Sequence, residues 1–224
     1  MSERRIALVT FGSLGDLHPF IAVAHALKAR GYAPVIATTG QYRENVAAAG
    51  LAFHSVRPAV EDLLRDMQLE RSELTRRLMD DPSFMFKRVM YPYLRAAYDD
   101  LVPVIDGAAL AVTSSLAFSA RIAAEHLNVP QVGIVLQPLM FLSAYDPPRL
   151  HNASWFQPVA SFIGPRMTGG VFRGLKKMIV RESQPIHSLR RELGLPAASR
   201  DPLFDGQAML TARGSAGRLP AVHH

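Results

Sequence analysis

IALVTFGSLGDLHPF, from Ile6 to Phe20, is the stretch on which the reading of the whole chain turns. Ile6 to Phe11 carries no charge and holds Ile, Leu, Val and Phe, as a strand buried on both faces requires. Gly12 and Gly15 come next, with Ser13 and Leu14 between them, then Asp16 and Pro19. Glycine at a strand-to-helix junction permits positive φ and lets a second molecule approach the backbone. The helix that starts here offers unpaired N–H groups and partial positive charge, which suit a phosphate. The same partial charge favours a carboxylate at Asp16, on the rim. The stretch marks a site at the end of a strand.

Working outward, Phe20, Val23, Ala24 and Leu27 recur at helical spacing, and Gly31 closes the helix. Pro34–Thr39 reads as a second strand, Gln41–Ala49 as a helix stopped by Gly50, and Ala52–Val56 as a third strand. Strand, helix, strand, helix, strand within so short a span predicts a parallel sheet with right-handed crossovers. Val60 to Asp81 is densely charged and reads as short exposed helices, either a solvated excursion or a flap over a site. Pro82 opens a long helix with an apolar stripe through Phe86, Val89, Met90, Tyr93, Leu94, Ala97 and Leu101, kinked at Pro92. Tyr91, Tyr93 and Tyr98 are read as packing residues.

Ala108–Thr113 is the fourth strand, Ser115–Leu127 a helix and Gln131–Leu136 the fifth strand. Ser114 and Ser115 stand where they can cap that helix, and where a doubly wound sheet places its ligands. Gln137 to Trp155 is a long loop whose apolar residues either line a pocket or tuck under the sheet. Residues 166–181 are amphipathic, with Met167, Val171, Phe172, Leu175, Met178 and Ile179 on one face. Arg166, Arg173, Lys176, Lys177 and Arg181 gather on the other. The stretch is either a core-packed helix or a contact with an anionic membrane surface. Glu182–Leu193 continues helically to Gly194, and from Ala208 the sequence loses all hydrophobic period.

The 224 residues are 49% hydrophobic and 20% charged, a globular balance, with a net charge of +6. No recognisable nucleic-acid module accompanies that charge, so nucleic acid is not an expected partner. No stretch approaches the ~18 apolar residues that span a bilayer, and MSERR lacks the apolar region of a signal peptide. Cysteine is absent, which excludes disulfides and thiolate metal sites and points to the cytoplasm.

The glycine turn admits several chemistries. A dinucleotide fold wants G-x-G-x-x-G and an acid about 20 residues on; here the spacing is G-x-x-G and the second strand ends without one. A nucleoside-triphosphatase loop needs a lysine that the turn lacks. His18 and His25 have no metal-ligand spacing, and G-x-S-x-G is absent. What remains is a carboxylate, Asp16, that either caps the helix or serves as a general base.

GSLGDLHPFIAVAHALKARGYAPVIATT resembles the opening of the N-terminal domain of two-domain, GT-B fold glycosyltransferases. The similar groups are the sterol and lipid glucosyltransferases and the glycopeptide-antibiotic glycosyltransferases, whose domain is of the glycosyltransferase family 28 N-terminal kind. Gly12, Ser13, Gly15, Asp16 and Pro19 match the family's G-[ST]-x-G-D-x-x-P. Leu27, Gly31, Ala37 and Thr38 match the second half of the family's pattern, with Tyr32 in place of the usual histidine. AEHLNVP (Ala124–Pro130), LQPLMFLSAYDPP (Leu136–Pro148) and DPLFDGQ (Asp201–Gln207) are similar too.

The resemblance implies a Rossmann-like doubly wound α/β domain over residues 1–207, with an irregular, disordered or frameshifted tail at 208–224. It implies Asp16 as the base that deprotonates an acceptor hydroxyl, and Gly12, Ser13, Gly15, Ser115, Gln137 and Phe141 as substrate-binding residues. The acceptor would be hydrophobic or lipid-like, and the co-substrate a nucleotide-diphosphate sugar, with no metal and no further cofactor. In such families a second domain grips the donor, so this chain alone is expected to transfer a hexose weakly or not at all. A partner chain carrying that domain, and peripheral membrane contact through residues 166–181, belong to the same expectation. Two other readings stay open: a non-catalytic ligand- or partner-binding module, and a Rossmann-like nucleotide-binding oxidoreductase.

Overall fold

A computed structural model describes residues 4–136, 144–145 and 156–196. The expectations for Gln137, Phe141, most of the 137–155 loop and the 208–224 tail lie outside the described residues. Five strands are formed among the described residues: β1 (Arg5–Val9), β2 (Ala33–Thr38), β3 (Ala52–Ser55), β4 (Leu110–Ser114) and β5 (Gln131–Ile134). Every pairing is parallel and the spatial order is β3-β2-β1-β4-β5, with Val9 opposite both Ala37 and Thr113.

The helices are α1 (Leu14–Lys28), α2 (Arg43–Ala48), α3 (Val60–Met67), α4 (Arg71–Asp80) and α5 (Pro82–Phe84). They continue with α6 (Leu94–Ile105), α7 (Phe118–His126), α8 (Phe156–Glu182) and α9 (Gln184–Glu192). β1 is buried on both faces because its residues serve two cores in alternation. Ile6 and Leu8 pack with Leu17, Phe20 and Ala24 of α1, Val46 of α2, and Ile36. Ala7 and Val9 pack on the other face with Leu101 and Ile105 of α6, Ala120 and Ala123 of α7, and Ile186 and Leu189 of α9. This is the doubly wound, Rossmann-like α/β sheet that the spacing predicts.

Three elements depart from the sequence expectation. The long helix expected from Pro82 is interrupted: a π-helical turn (Met85–Met90) comes after α5, and α6 begins only beyond Pro92. Pro92 has no N–H to give and crowds the preceding turn, and Tyr91 N–H reaches back five residues to Phe86 O at 2.9 Å. α7 starts at Phe118, three residues later than Ser115, with Ala117 at its N-cap and no side-chain capping bond. Ser114 and Ser115 are therefore not its caps.

The third departure is in α8, where, among the described side chains, only part of the apolar face that the pattern suggested is buried. Phe172 and Thr168 are buried, whereas Met167 and Val171 are 64% and 51% exposed. Gly164 (φ 77, ψ 169) breaks the helical geometry ahead of Pro165, before the amphipathic stretch begins. The charged excursion forms α3 and α4, which bury Leu63 and Leu74 and lace their outer faces with ion pairs such as Arg76 to Glu73 and Asp80.

Candidate functional site

Asp16 is positioned by the turn that precedes it. Ser13, extended at φ −91 and ψ 178, is the N-cap of α1, and its Oγ accepts the Gly15 N–H at 3.2 Å. Asp16 answers from three residues on: its Oδ2 accepts the Ser13 N–H at 2.7 Å and the Ser13 hydroxyl at 3.0 Å. This reciprocal box satisfies donors that a helix start leaves unpaired. It also fixes the direction of the carboxylate, and of the two readings of Asp16 the cap is the one the geometry shows.

Gly12 makes room for that carboxylate. Its φ is +132, and a Cβ built there would lie 2.2 Å from Asp16 Oδ2. No other residue type fits without moving Asp16. The Gly12 carbonyl accepts the Tyr42 hydroxyl at 3.0 Å, which ties the turn to the segment after β2. Burial pushes the Tyr42 phenol up from its ordinary value; the Asp16 charge adds to that, and a bond with Gln41 opposes it. Thr10 Oγ1 donates to the Asp16 carbonyl at 3.4 Å.

β1 and β4 are neighbours in the sheet, yet α1 and α7, the helices after them, lie on opposite faces. That is the switch point where a doubly wound sheet opens a crevice at its C-terminal edge. A small open cavity of about 50 Å³ occupies it, lined by Phe11, Asp16, Ser114, Ser115, Leu116, Ile134 and Leu136. Ser114, 5% exposed, accepts the Phe11 N–H on its Oγ at 3.4 Å and so bridges the two strand ends. Ser115 Oγ is buried and has no hydrogen-bond partner among the described residues, while Arg121 holds the Ser115 carbonyl. A buried hydroxyl without a partner is costly, and water or a bound molecule in the cavity would satisfy it.

Of the residues singled out in the sequence, the structure brings Asp16 and Ser115 to one cavity across the switch point. Gly12, Ser13 and Gly15 stand exposed in the turn that holds Asp16. Phe11, Leu116, Ile134, Leu136 and Tyr42 were not singled out as site residues. The available signal was topological: residues just after β1, β4 and β5 meet at the switch point whatever their type. The arrangement offers one oriented carboxylate and two serines within an otherwise apolar wall, which suits an alcohol on an apolar body.

The sterol 3-beta-glucosyltransferase ATG26 of Gibberella zeae is 29% identical over 141 residues, covering 63% of this chain and 9% of that protein. The sterol 3-beta-glucosyltransferase of Kluyveromyces lactis is 24% identical over 141 residues, 63% of this chain and 11% of that protein. The chain thus spans about a tenth of the length of these relatives. Among solved structures, the glycotransferase of kitacinnamycin aligns over 90% of this chain and 43% of its own, at 20% identity and TM-score 0.49. The glycosyltransferase SnogD of Streptomyces nogalater aligns over 61% and 34%, at 25% identity and TM-score 0.45. Residues 6–133, more than half of the sequence, match the model of the glycosyltransferase family 28 N-terminal domain, and the chain belongs to that family.

Proposed function

We propose that this chain is the acceptor-binding half of an inverting, nucleotide-sugar-dependent glycosyltransferase that transfers a hexose to a hydroxyl of a hydrophobic, lipid-like acceptor. The observation that carries this reading is the switch-point cavity, which sets Asp16 and the unpartnered Ser115 hydroxyl among Phe11, Leu116, Ile134 and Leu136. The sterol substrate named for the relatives, an alcohol on an apolar skeleton, fits the same description.

In the proposed step Asp16 takes the proton of the acceptor hydroxyl. The acceptor oxygen forms the new bond to the anomeric carbon, and the nucleoside diphosphate departs with the electrons of the bond it leaves. A positioned base of this kind contributes about 10²–10⁴ in rate. The grip on the nucleotide would come from a further domain or a partner chain, as the sequence resemblance implies.

The test is a panel of hydrophobic alcohols offered to the chain, with binding measured by calorimetry and glycoside formation monitored with nucleotide sugars. Saturable binding of an alcohol, weakened by Ser115→Ala, is the expected result; no binding anywhere in the panel overturns the acceptor assignment. In an assembly that transfers sugar, Asp16→Asn should keep acceptor affinity and lower turnover by about 10²–10⁴. Normal turnover would remove Asp16 from the base role. Binding with no transfer under any condition leaves the module reading in its place, and saturable binding of NADH would restore the oxidoreductase reading.

A further inference from the structure

The peptide between Gly12 and Ser13 is a planar, trans unit with one polar group on each side. Its carbonyl accepts the Tyr42 hydroxyl at 3.0 Å, and its N–H donates to Asp16 Oδ2 at 2.7 Å. Those two groups point in opposite directions, so Tyr42 and Asp16 grip one plane from its two edges. Rotating that plane breaks both bonds together. The backbone itself resists such a rotation weakly on the Gly12 side, where no Cβ restricts ψ. The hydroxyl of Tyr42 supplies the resistance.

Tyr42 is well placed to do so. It ends the short helical turn Gly40–Tyr42 that comes straight after β2, and its own N–H donates to the Thr39 carbonyl at 3.1 Å. β2 lies beside β1, and the Thr10 N–H on the Ala37 carbonyl at 3.2 Å carries their pairing past the end of β1 towards Gly12. The Tyr42 ring packs against the core that holds Leu17, Phe20 and Val46. Burial raises the phenol, so it stays a donor throughout the neutral range. The Gln41 bond lowers it, as a donor to the phenol oxygen does. From Gln41 through Tyr42 and the peptide to Asp16, each bond therefore runs donor to acceptor in the same sense, and each polarises the next.

We propose that Tyr42 is a positioning residue for Asp16: its hydroxyl fixes the Gly12–Ser13 peptide, whose N–H holds the carboxylate in the cavity wall. The consequence for turnover rests on the transfer reading; the hold on the carboxylate does not.

The experiment is proton–nitrogen NMR of the 224-residue chain and of Tyr42→Phe, which keeps the ring and removes the hydroxyl. The Ser13 amide should exchange about tenfold faster in the variant, with its proton shift moved upfield. The effect stays near tenfold because the Ser13 hydroxyl still holds Asp16 Oδ2 at 3.0 Å. The Leu17 amide, which donates to the Ser13 carbonyl at 3.2 Å, should keep its rate and so report an intact helix start. A Ser13 amide that ignores the substitution overturns the proposal. Equal loss at Ser13 and Leu17 overturns it too, because Tyr42 is then a plain anchor of the helix. In an assembly that transfers sugar, Tyr42→Phe should lower kcat by about tenfold at unchanged acceptor KM, and should cost nothing further on top of Asp16→Asn. A change in KM alone, or full additivity with Asp16→Asn, removes Tyr42 from the positioning role. Normal turnover of Asp16→Asn sinks the base reading instead, and the amide rates still decide whether Tyr42 holds the carboxylate.

Discussion

At the scale of single residues, Gly12 and Asp16 form one unit. The carboxylate that caps α1 occupies the volume a side chain at position 12 would need, 2.2 Å from the place of its Cβ. Gly12→Ala should therefore displace Asp16 as well as strain a backbone at φ +132, with a loss of about 1–3 kcal/mol by thermal or urea unfolding. The accompanying sign would be faster hydrogen exchange at the Ser13 N–H, which Asp16 now holds at 2.7 Å. An unfolding midpoint and an exchange rate both equal to the parent's would show that the turn is not built around the carboxylate. Part of this unit is legible in the sequence, since Gly12, Ser13, Gly15 and Asp16 are close neighbours whose spacing shows a capped helix after a turn. Tyr42 is not, because its bond to the Gly12 carbonyl depends on β2 lying beside β1.

At the scale of elements, the strands and the helices packed on them obey their apolar period, and the departures come where a local feature interrupts it. Pro92 ends one helical pattern and starts another, and Gly164 ahead of Pro165 breaks the helical geometry of α8. Where α9 docks is also invisible in its own sequence. Arg190, a charged residue on a short helix, is 9% exposed and clamps Glu125 of α7 through two bonds at 2.6 and 2.9 Å. The same guanidinium donates to the Pro196 carbonyl. Glu125→Ala leaves that guanidinium buried without its carboxylate, and should cost about 3 kcal/mol, the low end for a buried pair because Glu125 is partly open to water. Replacing both partners with Met and Leu should recover most of the loss. A double replacement as unstable as Glu125→Ala would mean that the pair itself, and not the unpaired charge, decides the cost.

At the scale of the molecule, the sheet order is what converts a list of loops into a cavity. The β-α-β periodicity makes the parallel sheet readable, but nothing local says that the segments after β1, β4 and β5 share one wall. Stability of the whole also carries a pH signature. Arg57, just after β3, holds Asp100 of α6 through bonds at 2.8 and 2.7 Å, with its own N–H at 3.0 Å. Burial alone would raise the Asp100 carboxyl; the Arg57 side-chain and backbone bonds outweigh it and hold the group below its ordinary value. A depressed carboxyl stabilises the fold above its unfolded value of about 3.9, and the gain disappears as pH falls through the lower folded value. The melting-temperature advantage of the parent over Asp100→Asn should thus be full near neutrality and shrink progressively in acid below about pH 4. A gap that persists unchanged into acid would contradict the assignment.

The parallel sense of the strands has one more consequence, for how the molecule can be handled. β1 starts at Arg5 and runs towards the cavity, so the point where the chain enters the sheet lies on the edge away from it. Five residues of strand separate the two edges by roughly 16 Å. A fluorophore or affinity handle joined ahead of Arg5 would report on the molecule from the back, leaving the mouth of the cavity open to whatever is offered to it.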